Sequence, residues 1–320
     1  MAPSEHTPHD WPALPVHTII LPNTEVGPDG LPLLDEQGNP RALVPYLVST
    51  TLEELGTVLP HGRLEDQAGG GTTFEFRPPV MGTRKRQGAV RADRKLAKSP
   101  GIMLPRWIGV ALLKLGDVDV STMKPAEVGQ LVGQLPVGDV LYLASYWQWI
   151  SNPTGMPLGE GTCGACGAEW GKVAADLGGL SVDRLPDDAG PDNPPRARVS
   201  LDKGVPFPAG AQVSQVLVRP ATWAAVFGGL SADNMGNGEL INANLLRSAI
   251  CAVDTSKTAP GLTPTALDEL WPHDQRAIQA AQELIHPSPD LEIVMTCPSC
   301  GHDNSYRIDW TDPGFTAGPA

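Results

Sequence analysis

Two CxxC motifs constrain this chain more than any other feature: Cys163-Gly164-Ala165-Cys166 and Cys297-Pro298-Ser299-Cys300, each followed by glycine and far apart in sequence. A CxxC places two thiolates on one tight knuckle, and the glycine behind it (Gly167, Gly301) lets the backbone turn beneath a metal. Two knuckles supply the four ligands of a tetrahedral structural zinc site, which leaves no open position for a reacting water. The expectation is therefore one structural Zn2+ shared by Cys163, Cys166, Cys297 and Cys300, with no catalytic residues. Two other readings stay open. Each pair recruits further ligands, with His302 beside the second knuckle, or a CxxC is redox-active, although neither pair sits in a thioredoxin-like βαβ setting. The fifth cysteine, Cys251, stands alone in LLRSAICAVD on an apolar helical face and reads as a small buried hydrophobe.

Each motif closes one of two similar segments of the chain. Residues 1–72 form an extended, Pro-rich N-terminal arm, with short strand candidates at His17–Leu21 and Tyr46–Thr50 and a short helix opening at Thr51. A first repeat spans 73–182, a loose Asp/Pro/Gly linker 183–212, and a second repeat 213–320. Each repeat opens on a strand ending in Arg-Pro (Phe74 to Pro78, Val216 to Pro220), then runs through an apolar stretch expected to be helical (WIGVALLKLGDV, NLLRSAICAVD). A Pro-initiated helix follows in both, at Pro125 and Pro264. Next, Leu and Pro precede an aspartate placed where a helix would be capped (Asp139, Asp274). Each repeat then reaches its knuckle. The same features in the same order point to a duplication. The expected fold is mainly α with short β elements: two related helical repeats joined by a zinc-ribbon-like four-cysteine site.

Other chemistry is absent from the sequence pattern. Gly69-Gly70-Gly71 lacks the Lys-Ser/Thr and the preceding strand of a phosphate loop. Asp233 to Gly238 places Met235 where a calcium loop needs a ligand. No nucleophile elbow or metalloprotease helix occurs, so the chain is not expected to be an enzyme. The net charge of -13 disfavours nucleic acid as a partner. One basic stretch runs against it: Arg77, Arg84, Lys85, Arg86, Arg91, Arg94, Lys95 and Lys98, opposed only by Asp93. It reads as a solvated helix face or as a dock for an acidic partner. Trp107, Trp223 and Trp271 fit helical core patterns, whereas Trp147 and Trp149 with Tyr146 fall in a run suited to facing a partner. No apolar stretch has membrane-spanning length. The N-terminal MAPSEHTPHDWPALPVH lacks a leader pattern, so synthesis in the cytoplasm with reduced cysteines is expected.

A strand ending in Arg, short helices with Leu…Leu…Asp spacing, then CxxCG and an aspartate resemble the baseplate hub assembly proteins of T-even-type phages. Related tail assembly chaperones accompany contractile tails and phage-tail-like contractile injection systems. The closing CPSCGHDNSYRIDWTDPGF is similar to the ends of several such proteins, and the resemblance covers roughly residues 73–316 in two copies. It implies a non-enzymatic role as an assembly factor or structural adaptor. The implied partners are baseplate, hub or spike proteins, with incorporation into a phage or tail-like particle as one outcome. Only the four cysteines carry over with a role, as structural ligands. The alternative is a zinc-ribbon regulator touching nucleic acid through the basic 77–98 segment.

Overall fold

The computed structural model describes residues 13–29, 31–36, 41, 46–62, 72–187, 189, 195–206, 212–253, 268–309 and 317–319. In chain order these form β1 (Ile19–Ile20), β2 (Val48–Thr51), α1 (Leu52–Leu55), β3 (Phe74–Phe76), α2 (Met81–Ala92), α3 (Pro100–Ala111), β4 (Leu112–Leu115), β5 (Val118–Asp119), α4 (Pro125–Gly133) and α5 (Val137–Ser151). There follow β6 (Met156–Thr162), β7 (Glu169–Ala175), β8 (Ser181–Arg184), β9 (Ala197–Pro206), β10 (Gln212–Val218), α6 (Trp223–Phe227) and α7 (Gly238–Ala249). The series closes with β11 (Ile250–Val253), α8 (Pro272–Ile285), β12 (Glu292–Thr296), β13 (Asp303–Ile308) and β14 (Ala317–Pro319).

The architecture is mixed α/β, which corrects the mainly α expectation. The two apolar stretches expected to be helical show why. In the first, α3 ends at Ala111 and β4 begins at once with Leu112; in the second, α7 ends at Ala249 and β11 begins with Ile250. An apolar run buried on several sides carries no period that separates helix from strand. Antiparallel partners decide instead: Phe76 pairs with Leu112, and Val218 with Ile250. Cys251 accordingly lies in a strand, not on a helix.

The chain divides into two compact units, each drawing on three stretches. One comprises Met1–Val48, Leu185–Val226 and Asn237–His286; the other comprises Ser49–Arg184, Phe227–Gly236 and Pro287–Ala320. The first, here the sheet unit, is built on an antiparallel sheet of order β1-β9-β10-β11, with α8 packed on β9 and β10. Ala277, Ile278, Ala281 and Ile285 share the buried face of α8 at helical spacing and meet Val199, Val216 and Val218 of the sheet. Gly204 interrupts β9 at φ +77, and a Cβ there would lie 2.5 Å from the Val213 carbonyl oxygen, so only glycine fits this bulge.

The other unit, which holds all four cysteine knuckle residues, is led by α2 to α5. Thr51 caps α1 with a full capping box through Glu54, and the Tyr142 hydroxyl on α5 donates to the Gly56 carbonyl to seat that turn. Helices α3 and α4 cross closely because Gly109 and Gly129 face each other's chains; a Cβ on Gly129 would meet Arg106 Cγ at 2.6 Å. Phe227–Gly236 docks where α3 carries Gly101, 2.0 Å from the Phe227 oxygen for an added Cβ. The C-terminal stretch docks on α5 in the same manner. A Cβ on Gly138 would lie 1.7 Å from the Pro287 oxygen. Alongside, the Asp183 N–H donates to the Ser288 carbonyl and the Asp290 N–H to the Ser181 carbonyl.

The two repeat stretches share backbone details that sequence inspection could not supply. Both strand pairs slip by a bulge one residue before the arginine, between Glu75 and Phe76 and between Leu217 and Val218. The Arg77 N–H donates to the Ala111 carbonyl at 2.7 Å, and the Arg219 N–H to the Ala249 carbonyl at 2.8 Å. Asp139 and Asp274 are both the third residue of their helices rather than caps, and neither flanking residue, Pro136 or Trp271, makes a side-chain cap. Both aspartates are fully buried and reach across to a distant turn. Asp139 Oδ1 accepts from the His61 N–H, and Asp274 accepts from those of Asp202, Lys203 and Gly204. Each turn ends in a glycine at positive φ, Gly62 or Gly204.

Candidate metal centre

Each knuckle is the turn of a β-hairpin, β6–β7 for the first and β12–β13 for the second. Their internal bonding is the same. The Gly167 N–H donates to the Cys163 carbonyl and the Cys163 N–H to the Ala168 carbonyl; Gly301, Cys297 and His302 repeat the pattern. Gly167 and Gly301 both hold positive φ, at 71° and 75°, as the sequence reading required. The hairpins face each other so that the four sulfurs all lie within 4.8 Å of one another. Two separations cross between knuckles at bonding range: Cys163 Sγ to Cys300 Sγ is 3.7 Å and Cys166 Sγ to Cys297 Sγ is 3.8 Å. A tetrahedral tetrathiolate ion with metal–sulfur bonds of about 2.3 Å has sulfur–sulfur edges of about 3.8 Å. The cluster therefore has the spacing of a closed four-sulfur metal site. Cys163 and Cys297 are buried against Tyr306, Ile293 and Met295, while Cys166 and Cys300 face outward.

Backbone amides prepare two of the sulfurs, Cys163 and Cys297, for anionic ligation. As free thiols, Cys163 is lowered to about 6, led by the N–H of Cys166 with help from that of Ala165, against burial. Cys297 is also lowered: burial raises it, but the N–H groups of Ser299 and Cys300 outweigh that. Cys300 is pushed up to about 12; the His302 N–H lowers it, while hydrogen bonds with the Cys166, Cys163 and Cys297 sulfurs raise it. Four sulfurs this close repel as thiolates, and a dication removes that repulsion. Asn304 ties the knuckles together. Its Oδ1 accepts from the Gly164 N–H at 3.0 Å, and its Nδ2 donates to the His302 carbonyl at 2.9 Å and faces Cys163 Sγ at 3.8 Å. Sequence reading missed it, because an asparagine four residues past a CxxC carries no signal of its own. His302 stands outside the cluster and contributes its backbone.

Other expected residues are distributed as follows. Trp107 and Trp223 are core, but Trp271 is 53% exposed, because the face of α8 that enters the core begins after it. Trp147 is buried, and with Tyr146 and Trp149 it belongs to an aromatic cluster around Phe74 and Phe76, so this run packs inward. In the basic stretch Arg84, Lys85, Arg86, Arg91, Arg94, Lys95 and Lys98 are exposed, Arg77 is half-buried, and Arg84 donates to the Ser151 carbonyl. Asp233 and Asn234 close a short 3-10 segment, which a turn joins to α7 at Gly238. Gly69 to Gly71 and the helix expected at Pro264 lie outside the described residues. Among the described residues no helix is long and apolar enough to cross a membrane. No protein-family model, curated protein or solved structure gives a significant match to the chain.

Proposed function

We propose that the chain is a non-enzymatic assembly factor or structural adaptor of a contractile phage tail or tail-like injection system, stabilised by one structural Zn2+ and acting through protein–protein contacts. The observation that carries the structural part is the closed four-sulfur cluster, assembled from hairpins contributed by two remote stretches. Thiolate ligands in a tetrahedron select zinc over harder ions, and a site with four protein ligands fixes structure instead of activating water. Zinc here cross-links the C-terminal hairpin to β6–β7, so metal binding contributes directly to folding. The shared backbone details of the two repeat stretches support descent from a duplicated unit in which each copy supplies half a metal site. The tail assignment rests on the sequence resemblance, and the acidic, closed-site character agrees with a scaffold.

The test has two arms. Zinc content of protein purified under reducing conditions is expected to be one ion per chain, and none after Cys163→Ser or Cys297→Ser; a metal-free, folded native chain would refute the clamp. Co-sedimentation with contractile tail particles or their baseplate precursors tests the assembly role, and absence from both would refute it. The nucleic-acid alternative draws on the exposed basic side chains of α2 and the residues after it; salt-sensitive retention on DNA would favour it.

A further inference from the structure

We infer that the knuckle-bearing unit carries a peptide-docking groove for a segment of a partner protein that places carboxylates beside an aliphatic side chain. The groove, of about 500 Å³, lies between α2, α3 and the start of α4. Three guanidinium groups line it, Arg77, Arg86 and Arg106, against a single acid, Asp93. The rest of the lining is mostly apolar, with Val90, Val110, Val120 and Val128 among it and Ser121 the polar exception, and no aromatic ring contributes.

Two of the three, Arg86 and Arg106, are unspent, whereas Arg77 is engaged by the Ser121 carbonyl and interacts electrostatically with Asp119. Arg77 is anchored by its backbone N–H on Ala111 and by Nη2 on the Ser121 carbonyl, while its Nε is buried with no partner. The stem of Arg106 rests on Gly129, where any side chain would displace it. Arg86 and Arg106 have no hydrogen-bonding or ionic partner among the described residues. Asp93 is engaged with its own turn, accepting from the Lys95 and Leu96 N–H groups. Pro125 and Ala126 at the N-terminal end of α4 complete the lining, while Glu127 in the same turn accepts from the Lys124 N–H.

Such a concentration of free cation on a chain of net charge -13 calls for an anionic occupant. Guanidinium groups match carboxylates in charge and fork geometry, and the aliphatic floor requires the occupant to be apolar in part. Nucleic acid fits less well: single strands are held by aromatic stacking platforms, which this lining lacks, and the acidic whole repels a polyanion. The proposal deepens the protein–protein reading above and rests on it for the class of partner.

The test uses the full-length, zinc-loaded protein and three labelled probes in fluorescence anisotropy: a peptide of pattern Asp-Leu-Glu-Val-Asp, its amide counterpart Asn-Leu-Gln-Val-Asn, and a short oligothymidine. The acidic peptide should bind saturably, the amide peptide at least about tenfold more weakly, and the oligothymidine more weakly than the acidic peptide. Arg86→Ala and Arg106→Ala should each weaken the acidic peptide by about tenfold, while Arg307→Ala, exposed on β13 outside the groove, stays within about twofold. Zinc content and circular dichroism of each variant verify that it is folded. Failure of the acidic peptide to bind, equal binding of the amide peptide, or tighter binding of oligothymidine through the same arginines would each overturn the proposal. Co-sedimentation with tails and no peptide binding removes the groove alone; peptide binding without tail association removes the tail assignment and leaves the groove.

Discussion

Gly138→Ala puts the docking of the C-terminal hairpin to a quantitative test. Gly138 is the second residue of α5, and an added Cβ would stand 1.7 Å from the Pro287 oxygen, 2.8 Å from the Pro287 carbonyl carbon and 3.0 Å from Ser288 Cα. These neighbours are backbone, so no rotamer change relieves the overlap. Restoring ordinary contact requires the Pro287–Ser288 segment to retreat by about 1.5 Å or more. That movement breaks or lengthens the two hydrogen bonds that tie the segment to β8, Asp183 N–H to Ser288 (3.0 Å) and Asp290 N–H to Ser181 (2.8 Å). Each contributes about 0.5–1.5 kcal/mol net. Overpacking strain typically adds about 1–3 kcal/mol, and the better helix propensity of alanine returns at most about 1 kcal/mol. The expected loss is about 2–4 kcal/mol, and because the same segment leads into β12 and Cys297, zinc should be surrendered faster to a chelator. Gly88→Ala is the control: this glycine lies mid-way along α2 with nothing within 4 Å of an added Cβ, so a gain of about 0.5–1 kcal/mol is expected. Urea unfolding of zinc-saturated protein, with chelator competition followed in parallel, measures both. Equal stabilisation by the two substitutions would refute the docking argument. Loss of stability in Gly138→Ala with unchanged zinc release would refute the link between docking and the clamp.

Three further outcomes are expected. Zinc uptake at pH 7 in weak buffer should release fewer protons than the four ligands would allow, because Cys163, lowered to about 6, is already largely thiolate, whereas Cys300 at about 12 gives up a full proton; release of all four would contradict the amide effect on Cys163. Burial pushes the Asp139 carboxyl up to about 8, above its unfolded value of 3.8, although the His61 and Gly62 N–H groups lower it. The folded state thus keeps a proton that the unfolded state loses. This contribution is full below about pH 4 and falls by about 1.4 kcal/mol per pH unit until about pH 8; the difference between native protein and Asp139→Asn in pH-resolved urea unfolding should show that slope, and a flat difference would count against it. Asp274→Ala removes the acceptor of three N–H groups, the one on Gly204 buried and those on Asp202 and Lys203 partly so, and also of His17 Nε2 at 2.9 Å. Destabilisation of about 3 kcal/mol or more is expected, read by hydrogen exchange at β9 amides; unchanged protection there would show that another group holds the bulge.

The four-cysteine cluster was legible because its information is local. Two thiolates and a glycine in five residues dictate a knuckle, whatever surrounds it. The short helix opening at Thr51 and the Pro-initiated α4 were legible for the same reason, since helix-start signals such as Pro125 at a first turn act within one helical turn. The mainly α expectation failed where locality fails. Leu112 to Leu115 and Ile250 to Val253 are strands because β3 and β10 lie beside them, and an apolar run does not announce its neighbours. Asp139 and Asp274 were noticed as matching positions, yet their partners lie 78 and about 70 residues away, so a helix cap was the nearest inference and the buried pin was out of reach. Trp147 and Trp271 exchanged their expected environments, because exposure depends on which face of a helix is turned inward.

What the sequence by itself determined is the chemistry of the four sulfurs, the turn geometry beneath them and the like order of features in the two repeat stretches. Each follows from covalent structure and from interactions spanning a few residues. Tertiary structure alone decided that the knuckles interleave, Cys163 against Cys300 and Cys166 against Cys297, with Asn304 between them. It also decided that Arg77, Arg86 and Arg106 converge on one groove while most of the basic stretch stays in solvent. The reason is physical: ligand type is a property of a residue, whereas a site is a set of distances, and distances between remote residues exist only once close packing at glycines such as Gly129 and Gly138 has fixed which segments touch.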